Sequence, residues 1–262
     1  MLGQRYDAMM LIIGERLNVF ASKRVRTALE AKDERVILEI AGDQLAQGAQ
    51  YLDVHAEGWD DMKWMLETVR QSGAAICLDS PDPEVIRKGL SMPGVKFLNS
   101  LAGGRLDCFK EAKEHKVKVV GLLHDVSAAE VVEAAKKASF PFEDLYLDPA
   151  VMPVSVDAAN ARKLIEKHRE TKRDFPGVKT VVGISNVTHG MPRPLEIRAA
   201  ILVSLLNDGL DAAICNPAEL GFYARAVAII RDDGSGRSTV DYIRAFRKDE
   251  AAKKAAPRPP TK

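Results

Sequence analysis

The chain has 262 residues, 46% of them hydrophobic and 29% charged. That is the balance of a globular chain, long enough for one large domain or two small ones, and not that of a disordered one. The 38 Lys and Arg nearly cancel the 37 Asp and Glu, and the net charge of +1 leaves no field to hold nucleic acid nonspecifically. No apolar run reaches the ~18–20 residues of a membrane helix, and the start, MLGQRYDAMMLIIGER, lacks secretory architecture. Cys77, Cys108 and Cys215 are far apart and without metal-ligand spacing, which fits a reducing cytosol. A soluble cytoplasmic protein with no metal site is expected.

In chain order, short runs rich in Val, Ile and Leu alternate with longer amphipathic stretches. The strand-like runs are MLIIGE (10–15), YLDVHA (51–56), AAICLDS (74–80), VKFLNSL (95–101), KVVGLLHD (118–125), DLYLDP (144–149), KTVVGISN (179–186) and DAAICN (211–216). A helical pattern follows each. Near-continuous apolar strands joined by helices indicate a parallel sheet covered on its outer face. Eight βα units match a single α/β (β/α)8 TIM barrel over residues 10–247, with an open doubly wound sheet as the competitor. From Lys248 the sequence KDEAAKKAAPRPPTK has no periodic apolar face, so 248–262 are expected to form a disordered tail.

Almost every run ends in a polar residue: Glu15 with Asn18, Asp53 with His55, Asp79, Asn99, His124 with Asp125, Asp148, Ser185 with Asn186, and Asn216. In a barrel these converge at the C-terminal mouth, where active sites are built. Any one of them also suits a helix N-cap or a βα turn. Asn99, Asp148 and Asn186 fit that explanation less well as a set, because each ends a run that would otherwise stay apolar. Carboxylates and amides together suit an amino-pyrimidinone edge. A carboxylate accepts two parallel N–H bonds from its guanidine-like side, and an amide satisfies the carbonyl and ring nitrogens. No run ends in a Lys that would form a Schiff base or grip a phosphate.

The segments LIIGERLN (11–18), the LD of YLDVHAEG, ICLDS (76–80), FLNS (97–100), LYLDP (145–149), TVVGISNV (180–187) and PRP (192–194) carry a family resemblance. They resemble the pterin-binding methyltransferases that move a methyl group between methyltetrahydrofolate and a corrinoid cobalt. Most similar are the corrinoid/iron–sulfur protein methyltransferase of acetogens and O-demethylase components, with likeness from about residue 10 to 247. The resemblance implies a dihydropteroate-synthase-like pterin-binding barrel, a homodimer, tetrahydrofolate as substrate, and cobalamin carried by a partner corrinoid protein. It implies that Asp79, Asn99 and Asp148 bind the pterin ring, that Gly183 and Ser185 line its face, and that Asn186 reaches N5 as the catalytic residue. Arg193 would border the site. His189 would join the pterin-binding set, standing where the acetogen enzyme carries Gln, and the loop EGWDDMKWM is shorter than in that enzyme.

Neutral tetrahydrofolate is a poor leaving group, so N5 needs a proton or a strong hydrogen bond as its C–N bond breaks. An Asn amide donates or, when flipped, accepts, so Asn186 suits a bond made mainly in the transition state. Asp53-Val54-His55-Ala56-Glu57-Gly58 also spells D-x-H-x-x-G, the loop by which cobalamin domains ligate cobalt, but it falls in the second of eight units, where packing and hydrogen bonding are expected instead. Trp59, Met62, Trp64 and Met65 read as core or interface packing. Two other functions remain open. One is a dihydropteroate synthase-like enzyme, which would need a cationic pyrophosphate site not evident at the last two strands. The other is a noncatalytic folate-binding subunit of a corrinoid complex.

Overall fold

A computed structural model describes residues 10–230 and 236–255, and in it the eight apolar runs are eight strands. They are β1 (Leu11–Asn18), β2 (Tyr51–His55), β3 (Ala75–Asp79), β4 (Val95–Leu101), β5 (Lys118–Leu122), β6 (Leu145–Asp148), β7 (Lys179–Gly183) and β8 (Ala212–Cys215). All pair in parallel, in chain order, and β8 closes onto β1. The expected (β/α)8 barrel is therefore observed, and the open sheet is excluded.

Helices return the chain on the outside, among them Glu34–Ala46 after β1, Gly58–Arg70 after β2, Asn160–Asp174 after β6 and Pro194–Asn207 after β7. Local chemistry sets several starts. The side chains of Ser22, Asp33, Asp82 and Ser127 each accept a first-turn amide, and Glu130 completes a capping box with Ser127.

Period-two alternation splits the strand side chains between two apolar clusters. The larger lies between strands and helices and contains Met62 and Met65, fully buried, with Trp59 and Trp64 packed against it. The smaller fills the barrel: Ile13, Cys77, Phe97, Val120, Tyr146, Val181, Ala212 and Ile214. There Phe97 stands between Tyr51 and Tyr146, with ring centroids 5.3 and 4.9 Å away. Truncating such a ring costs about 3–5 kcal/mol, so the barrel interior is a packed floor rather than a channel.

The tail differs from its expectation. A helix runs over Arg237–Ala255, so the backbone stays helical past Lys248, where disorder was expected to begin. Its Ala, Lys and Glu are strong helix formers, and propensity holds where an apolar stripe is not needed. Phe222 and Tyr242 meet edge to face at 5.7 Å, tying this helix to the barrel. Residues 256–262 lie outside the described residues. Among the described residues no helix is long and apolar enough to cross a membrane.

Candidate active site at the barrel mouth

Two positions beyond the apolar floor, the next inward-facing residues are Glu15 on β1, Asp79 on β3, Asn99 on β4, Leu122 on β5, Asp148 on β6 and Gly183 on β7. Asp53, two beyond Tyr51, faces inward from β2 beside Cys77. Register ties these ends together. Asn18, His55, Asp79 and Asn99 are successive partners across β1 to β4, and Leu122 partners Asp148. The mouth is thus an apolar layer, broken at β2 by Asp53, under a layer in which carboxylates and an amide are joined by His55, Leu122 and Gly183.

On the β2–β4 side, Asn99 Nδ2 donates to Asp53 Oδ1 at 3.2 Å. Asp53 is 3% exposed. Burial, and then the charge of Asp79, push its carboxyl well above the ordinary carboxylate range. Asp79 Oδ2 lies 3.1 Å from His55 Nδ1, and the Phe20 ring rests 4.9 Å from the His55 ring. Burial works against a charged His55, but the hydrogen bond and charge of Asp79 outweigh it and raise the imidazole pKa. The D-x-H-x-x-G stretch therefore serves hydrogen bonding and packing, as its place in the second unit suggested.

On the opposite side, Asp148 is 8% exposed and accepts the Ala150 N–H at 2.9 Å. Burial pushes its pKa up to about 6, held back in part by the Ala150 amide and the Lys167 ammonium. Lys167 comes from the helix Asn160–Asp174 and donates to the Leu123 carbonyl at 2.9 Å. Its own pKa is lowered by burial. No spacing in the sequence marks this lysine, because it lies on an outer helix nineteen positions after Asp148.

After β7 the chain enters a tight 3₁₀ turn, Ile184–Thr188, which carries Ser185 and Asn186. Asn186 is exposed at the mouth. Gly183 makes room for it, since a Cβ there would stand 3.0 Å from Asn186 Nδ2. The Ser185 hydroxyl donates to the Glu15 carboxylate. Burial raises the Glu15 pKa, with the Ser185 bond and the Arg198 charge opposing. His189 closes the turn through its N–H on the Asn186 carbonyl at 3.3 Å, and its own carbonyl accepts Ser155 Oγ at 2.6 Å.

Of the residues expected at the site, Asp79, Asn99, Asp148, Gly183, Ser185 and Asn186 are brought to the mouth. His189 is exposed at its edge. Arg193 is at the rim too, but its guanidinium is taken by Glu196 three residues on, at 2.9 Å from Nε. The residues missed are Asp53 and Glu15. Both stood among the polar strand ends, and only register shows that Asp53 lies under Asn99 and Glu15 against Ser185.

A family model described as pterin binding enzyme matches residues 14–129. The chain is 28% identical, over 273 aligned positions, to a methylcorrinoid:tetrahydrofolate methyltransferase of Eubacterium limosum, covering 91% of this chain and 96% of that protein. It is 29% identical over 248 positions to methionine synthase of Mycobacterium tuberculosis, covering 82% of this chain but only 21% of that longer protein. Among solved structures, dihydropteroate synthase of Stenotrophomonas maltophilia superposes with a TM-score of 0.67 at 15% identity, covering 88% of this chain and 96% of that one. Dihydropteroate synthase of Clostridium difficile, solved in the presence of pteroic acid, gives 0.66 at 19%, covering 86% of this chain and 99% of that one. At these identities the two structures establish the fold.

The chain has the (β/α)8 barrel fold of the dihydropteroate synthases, and just under half of it, residues 14–129, matches the pterin-binding family model. The resemblance to methyltetrahydrofolate–corrinoid methyltransferases expected from the motifs is borne out as a similarity along 91% of the chain.

Proposed function

We propose that this protein moves a methyl group between N5 of tetrahydrofolate and the cobalt of a corrinoid carried by a partner protein. The observation that carries the reading is the inward layer above the barrel floor. Besides Glu15, which is taken by Ser185, its polar members are Asp79 with its partner His55, Asn99 and Asp148, and among the described residues no Lys or Arg faces inward from the strands at that level. That layer fits a flat, neutral, hydrogen-bonding heterocycle. It gives no support to a pyrophosphate-releasing synthase, because the two arginines of the helix that follows β7 are engaged: Arg193 by Glu196, and Arg198 by Glu219 at 2.7 Å.

In this reading Asp148 and Asp79 accept the N–H groups of the pyrimidinone edge, while Asn99, its Nδ2 held by Asp53, presents Oδ1 as a further acceptor. Asn186 stands across the ring at N5. The partner's reduced cobalt supplies the nucleophile. As the methyl departs, the C–N electron pair stays on N5, which takes a proton from solvent. The Asn186 amide stabilises N5 through that change, a bond stronger in the transition state than in the bound substrate. In the opposite direction the same contacts hold tetrahydrofolate while its N5 receives the methyl. The resemblance further supports a cytoplasmic homodimer.

Asn186→Ala tests the assignment. Loss of one preorganised donor costs about 10²–10³-fold in turnover, whereas methyltetrahydrofolate affinity, carried by the far edge of the ring, is expected to stay within about tenfold. Calorimetry alongside single-turnover transfer measures both. Unchanged turnover removes Asn186 from the chemistry.

A further inference from the structure

We infer that Glu15 is a positioning residue: its carboxylate, taken by the Ser185 hydroxyl, ties the turn bearing Asn186 to β1 and so sets where the Asn186 amide stands. The inference rests on the methyl-transfer reading for its effect on turnover, and on geometry alone for the tether itself.

Asn186 is exposed, and among the described residues no hydrogen bond holds its amide. Its position therefore depends on the backbone of the turn Ile184–Thr188. Three groups hold that turn from the outer side of the mouth. Arg198 Nε donates to Thr188 Oγ1 at 2.7 Å, Val154 N donates to the Val187 carbonyl at 2.9 Å, and Ser155 Oγ donates to the His189 carbonyl at 2.6 Å. All three grip the end after Asn186. The end before it meets two carboxylates: Glu15, which accepts the Ser185 hydroxyl, and Asp148, which takes the Gly183 N–H at the start of the turn.

The Ser185–Glu15 anchor spans a strand. Gly183 partners Ile214 and Gly14 partners Cys215, so Ser185 and Glu15 reach toward each other over the end of the four-residue β8. Glu15 stands two positions above Ile13 of the apolar floor, within the stretch where β1 shifts register against β2. A hydroxyl bonded to a carboxylate also has a charged acceptor, which makes the bond stronger than one between neutral groups. The arrangement clamps a five-residue turn at both sides of its catalytic side chain.

The test uses Glu15→Ala, Ser185→Ala, the double variant and Glu15→Gln in the full chain. Misplacing a reacting contact by about an ångström costs up to ~10²-fold in rate. Each alanine variant is expected to lose about 10–100-fold in methyl-transfer turnover to cob(I)alamin, with methyltetrahydrofolate affinity within about threefold. The double variant is expected to be no worse than the poorer single one, because both remove the same bond. Glu15→Gln keeps an acceptor for Ser185 and is expected to stay near wild type. Additive losses, or a Gln variant as impaired as the Ala variant, would overturn the tether in favour of a direct role for the charge. Hydrogen exchange of amides 186–189 supplies a readout independent of methyl transfer. It is expected to speed up in both alanine variants and not in the Gln variant, and unchanged exchange overturns the inference even if wild type transfers no methyl.

Discussion

Replacing Asp148 by Asn separates the cost of the site from its use. The carboxyl is buried, and its pKa stands at about 6 against an ordinary 3.8. At about 1.4 kcal/mol per pH unit, that difference is worth roughly 3 kcal/mol. The sign follows from proton counts. Between 3.8 and 6 the unfolded chain has released this proton while the folded chain keeps it, so stability falls as pH rises through that window. Above 6 the folded protein carries the full penalty of a buried anion. The amide oxygen introduced by Asp148→Asn would accept the Ala150 N–H as the carboxylate does, and the amide carries no charge. The Asn variant of the ligand-free protein is therefore expected to match wild type near pH 4 and to exceed it by up to about 3 kcal/mol at pH 8, a sizeable part of a domain's ~5–15 kcal/mol. It should also bind methyltetrahydrofolate about 10–150-fold more weakly, by loss of a charge-assisted hydrogen bond worth about 1.5–3 kcal/mol. Urea unfolding of both proteins from pH 4 to pH 8, taken as a difference so that other titrating groups cancel, measures the first effect. A stability difference that does not change with pH would refute the reasoning.

His168, fully buried and 3.0 Å from Thr180 Oγ1, has its pKa lowered to about 4 by burial. The unfolded chain binds this proton from about 6.5 downward, so His168→Gln should flatten the loss of stability between pH 6.5 and 4 seen in thermal unfolding. Gly14→Ala would place a Cβ 2.5 Å from Gln44 Oε1, the buried atom that accepts the Arg16 N–H where β1 bulges against β2. Chemical denaturation should show a cost of about 1–3 kcal/mol, and none if Gln44 can shift freely. Arg193→Ala removes an exposed ion pair with Glu196 and should change the unfolding free energy by less than about 0.5 kcal/mol.

The barrel was legible because each strand is buried on both faces, so its sequence reads as an unbroken apolar run that stands out from amphipathic helices. The mouth was legible for a related reason. A carboxylate or amide at the end of such a run, as at Asp79, Asn99 and Asp148, interrupts a pattern that packing alone would continue. What one strand's sequence does not contain is its partner's register. Asp53 beneath Asn99, His55 against Asp79 and Glu15 against Ser185 join residues up to 170 positions apart, and only closure of the barrel fixes those meetings. Lys167 was hidden for the same reason. Arg193 went the other way: its left-handed backbone, φ 49°, and the nearby Glu196 turn a residue expected at the pterin back onto its own helix. Over 248–255 helix-forming composition, without an apolar stripe, carries the backbone as helix.

The most direct measurement is anaerobic stopped-flow spectroscopy of cob(I)alamin mixed with the protein and methyltetrahydrofolate. The Co(I) absorbance should decay with the appearance of methylcob(III)alamin, at a rate that saturates with folate and collapses in Asn186→Ala. Persistence of Co(I) while calorimetry shows the folate bound would contradict methyl transfer and leave a barrel that only holds the pterin.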